Sequence, residues 1–108
     1  MKDWRSEIQA EFDRAELARA RGNEGQARVC ARRAAGIAVR EYFTRRGEKV
    51  RTPSAYDLLK MLAEEQSLSS ELRQSARYLT LRVNEEFKLP VSVDLVAEAK
   101  KFCDELLK

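Results

Sequence analysis

The sequence predicts an all-α protein, a five-helix up-and-down antiparallel bundle, and three observations carry that prediction. Apolar residues recur at spacings of three and four through five separate segments. Short breaks rich in Gly, Asn, Ser or Pro stand between those segments. No segment alternates apolar and polar residues as a half-buried strand would, and no internal repeat interrupts the pattern.

The first helix is expected from Asp3 to Arg21, where Trp4, Ile8, Phe12, Ala15 and Ala18 share one face and acids fill the other. Gly22-Asn23-Glu24-Gly25 then breaks the chain, because Gly and Asn accept the positive φ that stops a helix. The second, central helix runs from Gln26 to Arg46. Its residues Ala27, Ala31, Ala34 and Ala38 form a narrow stripe of small side chains, suited either to the internal core or to a dimer seam. After a polar connector, Gly47 to Thr52, Pro53-Ser54 opens a third helix with Ser54 and Asp57 at a capping spacing and Ala55, Leu58, Leu59 and Leu62 inward. Ser69 caps a fourth helix, whose apolar positions Leu72, Ala76, Leu79, Val83 and Phe87 carry it to Phe87. Leu89-Pro90 ends that pattern, and Ser92 or Asp94 caps a fifth helix with Leu95, Ala99, Phe102, Cys103 and Leu106 inward.

With 108 residues the chain has room for one domain, 1–108, around one core. Its longest uncharged apolar run, Ala34 to Val39, falls far short of the ~20 residues that cross a bilayer. The N-terminal residues lack the apolar core of a signal peptide, so a soluble cytoplasmic protein with no membrane contact is expected. Cys30 and Cys103 fall on inward faces with no ligand-spaced partner, which argues against a metal; no cofactor motif is present. The net charge of +3 is unevenly spread: residues 1–53 hold 13 Lys/Arg against 8 Asp/Glu, and residues 54–108 hold 8 against 10.

The order of these features resembles the HEPN family. The resemblance rests on Trp4 with Glu16-Leu17-Ala18-Arg19-Ala20, on Gly22-Asn23-Glu24-Gly25-Gln26-Ala27, on Ala31 to Ala38, and on Ser54-Ala55-Tyr56-Asp57-Leu58-Leu59. In the last stretch Tyr56 stands where the family commonly has His. The resemblance implies a bundle that is often homodimeric, from a group that includes toxin ribonucleases and non-catalytic partners of minimal nucleotidyltransferases.

The ribonuclease branch of that family is marked by Arg followed four to six residues later by His. Arg82 matches the start of that motif, but Phe87, Lys88 and Leu89 occupy the positions of the His, and the chain contains no His at all. Metal-independent RNA cleavage needs a group that trades protons near neutral pH, the task His performs unperturbed. The expectation is therefore a non-catalytic binding protein. The alternatives are a divergent toxin-like ribonuclease using Arg82 with Lys88 or Tyr78, and a plain helical dimeric scaffold.

What remains is a binding surface. Arg28, Arg32, Arg33, Arg40, Arg45 and Arg46 of the second helix face a single acid, Glu41. Together with Arg82, the residues Arg28, Arg32, Arg33 and Arg40 are the candidates for contacting phosphate of a nucleotide or RNA. The competing expectation is that these arginines pair with Glu7, Glu11, Asp13 and Glu16 of the first helix and only solvate a hairpin.

Overall fold

A computed structural model describes residues 3–81 and 93–108, and these form five helices with no strand among the described residues. Helix α1, Trp4–Ala20, starts where the Asp3 side chain accepts a hydrogen bond from the Ser6 amide, 2.8 Å away. Gly22, at φ 77°, ends it: the Asn23 amide donates to Ala18 and the Gly22 amide to Arg19, which closes the last turn. The break is shorter than the sequence suggests. Asn23 caps α2 through its side chain, so Glu24 and Gly25 already lie in the first turn of α2, Glu24–Arg45.

Gly47, at φ 75°, stops α2 in the same way, with Glu48 donating to Phe43 and Gly47 to Thr44. Ser54 then caps α3, Ala55–Ala63, and Ser69 caps α4, Ser70–Leu79. Of the two cap candidates for α5, Leu95–Leu106, Asp94 takes the role, accepting from Val96 and Ala97. Helices α2, α3, α4 and α5 each pack against the next, α5 returns to α2, and α1 folds back along α2. No described helix is long and apolar enough to cross a membrane.

Helix α4 is shorter than its apolar periodicity indicates. Thr80 is its C-cap, with the hydroxyl turned back to donate to the Arg77 carbonyl at 2.7 Å. The guanidinium of Arg32, reaching from α2, donates to the carbonyls of Leu79 and Leu81 at 2.5 and 2.6 Å and so satisfies groups that a continuing helix would have used. Val83 and Phe87, expected on the same face, lie outside the described residues.

The core explains the small-residue stripe. Ala27, Ala31, Ala34 and Ala38 are fully buried within the chain itself, together with Val39, Leu58, Leu59, Leu62 and Phe102. Of the two uses open to the stripe, the internal core is the one realised. Cys30 and Cys103 are both free and buried; burial pushes the Cys103 thiol up to about 12, with the Asp104 carboxylate adding to the shift.

Candidate functional site

The arginines of α2 divide into two sets because of where the helix turns them. At 100° per residue, Arg33 and Arg40 stand within about 20° of each other, and their seven-residue separation spans roughly 10.5 Å of axis. Arg28 and Arg32 point about a quarter-turn or more away from that pair. The structure follows this division. Arg32 is half-buried and holds the end of α4, whereas Arg33 and Arg40 are exposed.

Between Arg33 and Arg40 lies Gly36, and it decides the local shape. A Cβ at this position would sit 2.6 Å from the Ala55 Cβ and 2.9 Å from its Cα, so only glycine lets the start of α3 approach α2 this closely. The close approach leaves a cleft of about 390 Å³ lined by Glu11 of α1, by Arg33, Gly36, Ile37 and Arg40 of α2, and by Pro53, Ala55 and Leu58. The lining thus combines two arginines of α2 and one glutamate of α1 with the apolar residues Ile37, Pro53, Ala55 and Leu58.

The expected cross-hairpin neutralisation is not what the structure shows. Glu11 pairs with Arg14 of its own helix at 3.3 Å, Glu16 pairs with Lys100 of α5 at 2.8 Å, and Asp13 accepts from Gln9. Arg45 and Arg46, at the far end of α2, pair with Glu41 and Glu48. Among the described residues no ion pair joins Arg28, Arg33 or Arg40 to an acid. Glu11 carries a further peculiarity: its Oε1 is sealed from solvent and, despite the nearby Arg14, receives no hydrogen bond from any described residue.

Comparison with protein-family models, curated proteins and solved structures finds no match.

Of the five phosphate-binding candidates, the structure brings Arg33 and Arg40 to one cleft. Arg28 is half-buried one turn from Glu24, whose carboxyl it helps to hold below its ordinary value, although the larger cause there is the hydrogen bond from Arg19. Arg32 is engaged with carbonyls, and Arg82 lies outside the described residues together with Lys88, its proposed partner. From the sequence, Pro53 and Leu58 had only the roles of opening the third helix and facing its core, Gly36 had none, and Glu11 was expected in a pairing it does not make. The signal for Gly36 was present: a glycine inside a long helix costs about 1 kcal/mol and calls for a packing reason.

A second cleft, of about 270 Å³, lies between α1 and α5 and includes Trp4, Arg5, Cys103 and Asp104. Its cation is already occupied, since Arg5 stacks over the Trp4 ring at 4.6 Å and Arg45 covers the same ring at 5.1 Å. No group of three or more His, Cys, Asp or Glu among the described residues is placed to hold a metal ion.

Proposed function

We propose that this protein is a non-catalytic, HEPN-like helical bundle that binds a phosphate-bearing ligand, nucleotide or RNA, through the Arg33–Arg40 cleft. The observation that carries this reading is the pair of exposed guanidiniums, two turns apart on one face of α2, without an ion-pair partner among the described residues. Arginine presents its donors in a planar fork that matches phosphate oxygens. The start of α3 beside the cleft adds the partial positive charge of a helix N-terminus.

The absence of any His in the chain supports binding over cleavage, because the family mechanism has no proton-transfer group to use. A homodimer and a minimal nucleotidyltransferase as partner belong to the same reading; copurification from the native host tests the second.

Calorimetric titration with inorganic pyrophosphate at low ionic strength tests the binding itself. Saturable binding is expected, weakened about tenfold by Arg33→Ala or by Arg40→Ala, and weakened further as salt screens the charges. No binding by the wild type, or equal binding by the doubly substituted protein, overturns the proposal.

A further inference from the structure

The cleft is lined by two arginines and one glutamate, and the way the glutamate is engaged decides how much positive charge the cleft presents. Arg33 and Arg40 form no ion pair with an acid among the described residues. Glu11 pairs instead with Arg14 of its own helix, Nη1 to Oε1 at 3.3 Å. The geometry of α1 favours that choice. Residues three apart on a helix are neighbours, and helical side chains lean toward the N-terminus, so Arg14 lies back over the turn that carries Glu11.

The pair is covered on the acid's side only. The Glu11 side chain is 12% exposed and its Oε1 has no access to solvent, whereas the Arg14 side chain is 57% exposed. Salt screens a partly buried pair less than one in open water. With Arg14 removed, the carboxylate would lose its counter-charge, and the remaining cations of the lining would be Arg33 and Arg40. It would then compete with an incoming anion for those guanidiniums or repel it.

We infer that Arg14 is a positioning residue for the phosphate site: it holds Glu11 along α1 and so leaves Arg33 and Arg40 to the ligand, without touching the ligand itself. This rests on the phosphate-binding reading above and adds the residue that sets the charge of the site.

The test is a double-mutant cycle between Arg14 and Glu11, read by calorimetric titration with inorganic pyrophosphate at low ionic strength. The wild type, Arg14→Ala, Glu11→Gln and the doubly substituted protein are compared, with a thermal melt of each. Arg14 is exposed and alanine is the best helix former, so Arg14→Ala spares the fold. It is expected to weaken pyrophosphate binding about fivefold, the worth of one partly exposed ion pair. Arg14→Lys keeps a cation over Glu11 and retains most of the affinity. Glu11→Gln binds no more weakly than the wild type, and in that background the loss from Arg14→Ala largely disappears, because no carboxylate is left to hold. An equal loss in both backgrounds shows that Arg14 attracts the anion by its own charge and overturns the inference. Unchanged binding by Arg14→Ala, or weaker binding by Glu11→Gln, overturns it as well and leaves the phosphate reading standing. Failure of the wild type to bind pyrophosphate removes both together.

Discussion

Gly36 and Arg32 show how single side chains set this structure, one by being absent and the other by its reach. Substituting Gly36 with Ala adds a methyl group 2.6 Å from the Ala55 Cβ and 2.9 Å from backbone, so α3 has to move. Helix propensity gains about 1 kcal/mol from that change, while overpacking costs roughly 1–3 kcal/mol, and the overpacking wins because the obstacle is main chain rather than a flexible side-chain end. A net loss of about 1 kcal/mol in denaturant unfolding is expected, along with a distorted cleft. Arg32→Ala strips a two-pronged donor from the carbonyls of Leu79 and Leu81 and is expected to cost about 1–3 kcal/mol. Arg32→Lys recovers only part of this, because a single ammonium lacks the planar fork. Chemical denaturation of the wild type beside these three variants checks each expectation. Gly36, a glycine inside a long helix, signals a packing reason without naming its neighbour, whereas the role of Arg32 was not visible in the sequence. Arg32 belongs to a run of arginines with identical local chemistry, and only the position of α4 separates it from Arg33.

At the level of helices, the periodicity placed the elements well and their ends less evenly. The start of each described helix coincides with a side chain that caps it, Asp3, Asn23, Ser54, Ser69 and Asp94; Ser54 and Ser69 were legible as caps, and Asp94 as one of two candidates, because their chemistry is local, while Asp3 was expected inside the first helix. Asn23 was read instead as part of a longer break, since Gly25 beside it looked like a second stop. The end of α4 was missed because its apolar spacing continues past Leu79, whereas the side chain that satisfies the Leu79 carbonyl is Arg32, 47 residues earlier. Arg19 makes a comparable long-range tie at the other side of the bundle. It joins the end of α1 to Glu24 at the start of α2 and to Asp94 at the cap of α5. Its hydrogen bonds hold both carboxyls below their ordinary values. Carboxyls with depressed values stabilise the fold above pH 4 or so, where both folded and unfolded forms are ionised, and that contribution disappears as pH falls through their folded values. All three groups are a third or more exposed, so each pair is worth no more than about 1 kcal/mol. Thermal melts between pH 7 and pH 3 are expected to show the wild type losing more stability than Arg19→Gln, by about 1 kcal/mol. Parallel losses would show that the clamp contributes nothing.

For the molecule as a whole, the all-helical class and the buried face of each helix could be read from spacing, because burial repeats with the helical turn. The fate of the small-residue stripe could not. A run of Ala at 27, 31, 34 and 38 suits a core and a dimer seam equally well, and only the return of α5 onto α2 shows that the core uses it. The binding surface was legible as an excess of charge on α2 but not as a site. Placing Arg33 and Arg40 on one cleft requires the close approach of α3 at Gly36, and withdrawing Arg32 from that surface requires α4. What looked like a continuous arc of arginine becomes one structural clamp and one pair available to a ligand. This division is the central claim, and side-chain NMR of the protein labelled with ¹⁵N-arginine tests it most directly. On titration with pyrophosphate, the Nε–H signals of Arg33 and Arg40 are expected to move together along one saturation curve, while those of Arg19 and Arg32 stay in place. Movement centred on other arginines, with Arg33 and Arg40 unchanged, would contradict it.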